Sequence, residues 1–355
     1  MEGVSGSQFG AIQARTVGAG PFRIHILEAG EGPLVLLCHG FPELAFAWRH
    51  QLVALAEAGY HAAAIDMLGY GRSSKPAAMD MRITTQVATF VEVVKALGHE
   101  TAVIVGHDVG APRAWSAAWT RPDVFTAVAG VSVPFGARGS MAWPGDSFGE
   151  LPPSEIEARI AGPGNIHYQK YFARPGALAG EAEKDLRGWL NGLYYGTSAA
   201  APLPSYGDFT TAEEATEFLR ETAIVLRPGE GFSDKLPVPG DDHWINAEEL
   251  EAYVAAYECT GLETPLNSYR TMDLDWELLA PWAGKPLEVP AIFIGGQHDL
   301  PAIWGIDAIQ RMPEVAPQAR PPAILEGLGH WNFQEDPAKF DAALLGFLGD
   351  VGVGP

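Results

Sequence analysis

The sequence predicts an α/β protein: a mostly parallel sheet flanked by helices, with an inserted helical cap. Three observations predict it. Short apolar runs alternate with stretches of helical periodicity as far as Val133. The alternation stops after Pro134. Strand signals return at Pro290. Repeated strand–helix units imply right-handed crossovers and a parallel sheet covered by helices on both faces.

Each element follows from its local pattern. Phe22 to Leu27 reads as a strand, and Leu34 to His39 as a short apolar run of the kind buried in a parallel sheet. Leu44 to Ala58 has helical spacing and ends at Gly59, a C-terminal signal. Tyr60 to Asp66 is a second buried strand. Ile83 to Leu97 is helical, with Thr84 or Thr85 near its start and Gly98 after it. Thr101 to His107 is a strand, Gly110 to Thr120 a helix, and Val124 to Val133 a strand again. Beyond Pro134 the chain is rich in Gly, Pro and aromatics. Asn246 to Glu249 forms a capping box that opens a helix through Tyr257, and a further helix is expected over Leu266 to Leu279. Pro290 to Ile294 and Pro322 to Glu326 are strands, and Pro337 to Leu348 is a last helix. The predicted division is a core of residues 1–137 and 276–355 with a cap of residues 138–275.

Composition narrows the function classes. A chain of 355 residues, 47% hydrophobic and 19% charged, has ample material for one large core with an insertion. The 44 acidic against 23 basic residues give a net charge of -21. Such a surface repels phosphate backbones and anionic membranes, so no nucleic-acid or membrane partner is expected, and the substrate is expected to be neutral. Cys38 and Cys259 lie far apart, which implies neither a disulfide framework nor a metal site. The first twenty residues lack a basic stretch followed by an apolar one, and no run of about 18 apolar residues occurs. A cytoplasmic protein is the expectation.

The most informative segment is Gly106-His107-Asp108-Val109-Gly110, between a strand and a helix. Small residues on both sides permit a sharp turn that lifts one side chain above the sheet at a helix N-terminus, where the dipole favours an anion. The bland alternative for Asp108 is a helix N-cap. A carboxylate that attacks an ester or amide gives a mixed anhydride, a poor intermediate. Attack on a saturated carbon bearing a leaving group gives an ordinary ester. Epoxides and alkyl halides are such substrates.

Topology supplies the partners. Asp299 follows one late strand and His330 follows the next, in the order nucleophile, acid, histidine. Alone, each would read as a loop aspartate and a surface histidine. His39-Gly40-Phe41-Pro42 follows the first apolar strand, so the N–H groups of Phe41 and Val109 are the expected oxyanion donors. Pro42 has no N–H to donate; it shapes the turn and is a candidate for a cis bond.

With these residues in place, the chain resembles the epoxide hydrolases of the α/β-hydrolase fold. HGFPE at 39–43, DMLGYGRSS at 66–74, GHDVGA at 106–111, GGQHD at 295–299 and GLGHW at 327–331 match that family's landmarks in order, across nearly the whole core. NIHYQKYFARPG at 165–176 and LNSYRTMDLDW at 266–276 are similar to its two cap-tyrosine motifs. The resemblance implies that Tyr168 and Tyr269 bind the epoxide oxygen and supply the ring-opening proton. A strained ether leaves poorly as an alkoxide, and a phenol of pKa about 10 can serve as the acid. Spacing alone does not separate Tyr168 from Tyr171, and Tyr194 and Tyr195 also compete; the resemblance selects Tyr168. It also implies a substrate pocket that includes Phe41, Val109 and Trp331, and chemistry without metal or organic cofactor. Oligomeric state stays open, a homodimer included.

One departure stands out. Val109 occupies a position often held by tryptophan in that family, and its smaller side chain reshapes the pocket. It also bears on the rivals. A haloalkane dehalogenase needs an N–H donor for halide at that position, and a fluoroacetate dehalogenase an arginine; valine is neither. Arg113 is nearby but is expected on the helix surface. A non-catalytic ligand-binding protein on the same scaffold would not need all five core positions.

Overall fold

The computed structural model describes residues 10–354 apart from 140–142, 144–145, 207–210, 212–213, 215–216, 218–224 and 241–242. Residues 1–9 of the N-terminal stretch judged above lie outside the described residues.

Eight strands form the main sheet: β1 Gln13–Ala19, β2 Phe22–Ala29, β3 Leu34–Cys38, β4 His61–Ile65, β5 Ala102–His107, β6 Phe125–Val131, β9 Ala291–Gly296 and β10 Ala323–Leu325. A separate two-stranded ladder pairs β7 Ile166–His167 with β8 Val225–Leu226. The order in the main sheet is β1-β2-β4-β3-β5-β6-β9-β10. β2 runs antiparallel to both its neighbours, and every other pairing is parallel. Every residue of β3, β5 and β9 is buried, as expected of strands covered on both faces. β1 was not foreseen. Only Val17 and Ala19 of it are buried, so this edge strand carries no alternating apolar signal.

Helices α1 Arg49–Glu57, α2 Ile83–Ala96 and α3 Gly110–Thr120 flank the sheet. The stretch expected as one helix from Leu44 is a 3₁₀ turn, Ala45–Trp48, that runs into α1. Gly59 ends it with φ +87°, as its sequence signal suggests. The last helix, Pro337–Asp350, is capped by Asp336, whose carboxylate accepts from Lys339 N–H at 3.1 Å. Two helices after β9, Leu300–Trp304 and Ile306–Val315, were also not foreseen, because Pro301, Gly305 and Pro313 interrupt the apolar period.

The chain between β6 and β9 carries the helices Pro153–Ala161, Tyr168–Phe172, Ala177–Ala182, Leu186–Gly196, Ala247–Thr260, Asn267–Arg270 and Met272–Leu278. Asn246 caps the long helix through the N–H groups of Glu248 and Glu249, and Glu249 reciprocates. The helix expected over Leu266 to Leu279 is broken at Thr271. There the backbone leaves helical geometry, and the Thr271 hydroxyl turns to Asp275 Oδ2 at 3.1 Å. No described helix is long and apolar enough to cross a membrane. Cys38 is buried, Cys259 is exposed, and both are unpaired.

Candidate active site

The loop after β5 sets the geometry. Asp108 has φ +49°, a conformation that costs a non-glycine residue about 1–3 kcal/mol. Its neighbours leave no alternative. A Cβ on Gly106 would stand 2.3 Å from Gly110 O, and one on Gly110 would stand 2.5 Å from His39 O. A Cβ on Gly40 would stand 2.4 Å from the Cβ of Asp108 itself. The loop after β3 and the loop after β5 are therefore in backbone contact, which only glycine permits. The Asp108 side chain does not cap α3. Its Oδ1 accepts the Phe41 N–H at 2.8 Å instead, which removes the N-cap reading. Phe41-Pro42 is a cis peptide.

The carboxyl ends of three parallel strands bring three residues together. His330 Nδ1 lies 2.9 Å from Asp299 Oδ1, and His330 Nε2 lies 3.8 Å from Asp108 Oδ2. Asp299 is fully buried. Burial acts to lower the His330 pKa. The charge and hydrogen bond of Asp299, with the charges of Asp108 and Glu43, outweigh it and push the value up to about 9.

A buried polar chain beneath the site was not assigned by sequence reasoning. His107, the residue before Asp108, faces two acceptors: Glu43 Oε2 at 2.8 Å and His330 O at 2.9 Å. Glu43 also accepts from Gly40 N–H at 3.2 Å and from Gln334 Nε2 at 2.7 Å. Burial would raise the Glu43 carboxyl, but the adjacent His107 holds it below its ordinary value. The signal was present, since both residues fall inside matched motifs, but side-chain direction is not legible from a motif.

A cavity of about 120 Å³ opens at Asp108. Val109, Tyr168, Tyr269, Phe135 and Trp304 are among its walls. Burial, then the charge of Asp108, raises the pKa of both tyrosines, so both phenols keep their protons. The competing tyrosines are engaged elsewhere. Tyr171 donates to Glu181, Tyr194 to Pro42 O at 2.9 Å and Tyr195 to Ala200 O at 3.3 Å.

Three expectations need correction. Trp331 does not line the cavity; it is buried behind His330 and donates its indole N–H to Tyr194 O at 3.0 Å. Arg113 is not on the helix surface. It is 6% exposed, borders the cavity, and donates to Gln86 Oε1 at 3.0 Å and Val109 O at 2.5 Å. Both side chains turn inward because α3 and the His330 loop are covered by α2 and by the insertion. Phe41 does not line the cavity either: its N–H reaches Asp108 Oδ1, and its ring packs edge-on against Phe172 and Tyr269 instead. Among the described residues no group of three or more His, Cys, Asp or Glu could hold a metal ion.

Known proteins are similar to this chain in sequence and fold. The α/β hydrolase fold family matches residues 33–148. Epoxide hydrolase B of Mycobacterium tuberculosis is 42% identical over 329 residues, covering 90% of this chain and 92% of that protein. Epoxide hydrolase A of the same organism is 38% identical over 348 residues, covering 96% and 98%. The solved structure of an epoxide hydrolase from an endophytic Streptomyces superposes with a TM-score of 0.85 at 42% identity, covering 97% of each chain. With relatives this similar over nearly its whole length, this chain belongs to the epoxide hydrolases of the α/β-hydrolase fold.

Proposed function

We propose that the chain converts a small neutral epoxide and water to a vicinal diol through an ester on Asp108. The observation that carries this reading is a carboxylate on a strained turn at the mouth of a cavity walled by two protonated phenols. In the first step an Asp108 oxygen attacks an epoxide carbon as the C–O bond breaks. Tyr168 and Tyr269 hydrogen-bond the leaving oxygen and protonate it. In the second step His330, oriented by Asp299, takes a proton from water, and the hydroxide adds to the ester carbonyl. The N–H groups of Phe41 and Val109 hold the resulting oxyanion, and collapse releases the diol with one Asp108 oxygen in it. No metal or organic cofactor enters these steps. Residues 138–275 act as the cap over the core formed by 1–137 and 276–355. A cytoplasmic setting belongs to the same reading, and two unpaired cysteines suit it.

Val109 favours this reading over a dehalogenase, because its side chain has no N–H for a departing halide. Two tests apply. His330→Gln should accumulate an adduct whose mass equals protein plus epoxide, because alkylation needs no base. Single-turnover hydrolysis in ¹⁸O-water should place unlabelled oxygen in the diol. Solvent label in the first turnover, or no adduct on the variant, would sink the covalent route.

A further inference from the structure

Glu335 lies five residues beyond His330, at the end of the short helix Asn332–Glu335. Its carboxylate does not line the cavity. Its three hydrogen-bond partners are all backbone N–H groups. Oε2 accepts from Gly329 at 3.0 Å and from Ala199 at 3.0 Å, and Oε1 accepts from Trp331 at 3.1 Å. The two peptide N–H groups on either side of His330 therefore end on one side chain. The N–H of His330 itself ends on Thr197 O at 2.9 Å. Thr197 and Ala199 belong to the turn that follows the helix Leu186–Gly196 of the insertion. The two loops also touch directly. A Cβ on Gly329 would stand 2.4 Å from Ala199 N and 2.6 Å from Ser198 C.

We propose that Glu335 is the positioning residue that fixes the His330 backbone and locks it to the Thr197–Ala199 turn of the insertion. Asp299 holds one edge of the imidazole, which sets the ring's rotation. It leaves the Cα position to the loop, where the His330 carbonyl meets His107 Nε2 at 2.9 Å and Ser132 Oγ at 3.3 Å but no strand or helix holds the flanking N–H groups. Three N–H groups converging on one carboxylate supply that restraint. Burial pushes this carboxyl above its ordinary value while the three N–H groups oppose the rise. An isolated buried carboxylate is costly, and here the cost is offset only by those three bonds. Glutamine has the same shape but presents an NH₂ where one oxygen stood, so at least one N–H would face a donor.

This inference rests on the covalent reading above, in which His330 serves the second step. Glu335→Gln should then leave the alkylation rate constant within about twofold of the parent and slow ester hydrolysis by roughly tenfold or more, since small misplacements of a reacting group carry such costs. Glu335→Ala should behave alike, and both should accumulate the Asp108 adduct under turnover. Rates are read per active site, from burst amplitude, so partial unfolding does not mimic the effect. A Gln variant that hydrolyses the ester at the parental rate overturns the proposal. So does an equal loss in both steps, which would mark a purely structural role. His330→Gln separates the two failures. If it forms no adduct, the covalent reading is at fault; if it does and the Glu335 variants do not, only this proposal fails. Should neither Glu335 variant fold, amide exchange in the parent decides. Slow, joint exchange of Ala199, Gly329 and Trp331 supports the lock, and fast exchange of any of them overturns it.

Discussion

Burial of the His330 imidazole disfavours its charge, whereas Asp299, Asp108 and Glu43 favour it, and the favourable charges prevail. The free enzyme therefore holds a protonated His330 at neutral pH, with a midpoint at about 9. On the covalent route proposed above, a proton on His330 would block the base step. Alkylation of Asp108 removes one of the negative charges that retain that proton, so the histidine should become a better base once the ester has formed. The sign follows: ester hydrolysis in single turnover should rise with pH along a midpoint below that of the free enzyme. Titration of the His330 ring by NMR, set against the pH profile of adduct decay, checks this. Coincident midpoints would mean that the Asp108 charge has no influence on His330. The same raised value stabilises the fold fully below the ordinary 6.5 and less as pH rises through about 9. At this scale the sequence was informative about where Asp108, Asp299 and His330 meet, because each is a chemically distinctive residue in the loop beyond a strand's carboxyl end. It was not informative about Arg113, Trp331 or Glu335. Their roles depend on side-chain direction and on loops distant in sequence, and no local pattern encodes either.

Elements were legible where one signal dominated. The buried strands β3, β5 and β9 are uninterrupted apolar runs, and the capping box at Asn246 opens the helix it was expected to open. Edge strand β1 and the break at Thr271 were hidden, the first by polarity and the second by a competing side-chain bond. The Ala247–Thr260 helix also shows one residue with two duties. Glu249 Oε2 accepts from Asn246 N–H at 3.2 Å and completes the cap. Its Oε1 accepts from Arg49 of α1 at 2.7 Å, where the Arg49 side chain is 3% exposed. Asn246→Ala should therefore cost about 1 kcal/mol, an ordinary capping loss. Glu249→Ala should cost more, about 2–4 kcal/mol, because it also leaves a buried guanidinium without its counter-ion. Urea unfolding of the two variants gives the comparison. Equal losses would mean that the Arg49 pair adds nothing to the docking of the insertion on the core.

For the whole molecule, the relevant quantity is charge. A net charge of -21 surrounds a cavity whose own walls carry Asp108, Asp275 and Asp307 against Arg113 and Arg138. The cations are already occupied. Arg113 serves Gln86 and Val109 O, and Arg138 stacks on Trp276 at 3.7 Å while donating to Gly149 O at 2.9 Å. Asp307 has its own partner in Arg311 at 3.0 Å, and burial pushes Asp275 up to about 6, so Asp275 remains mostly charged at neutral pH. An anionic substrate thus meets repulsion at long range, and at short range two guanidiniums that already donate to neutral acceptors. Between about 10 mM and about 0.5 M salt the Debye length falls from roughly 30 Å to a few Å, which removes the long-range part. A neutral epoxide should show kcat/KM nearly independent of salt over that range. A carboxylate-bearing analogue of similar size should be several-fold slower at low salt and recover part of the deficit as salt is added. The measurement is a pair of salt titrations of kcat/KM. A carboxylated epoxide that is turned over faster at low salt than at high salt would mean that Arg113 or Arg138 is available to anions, and that the cavity selects for charge rather than against it.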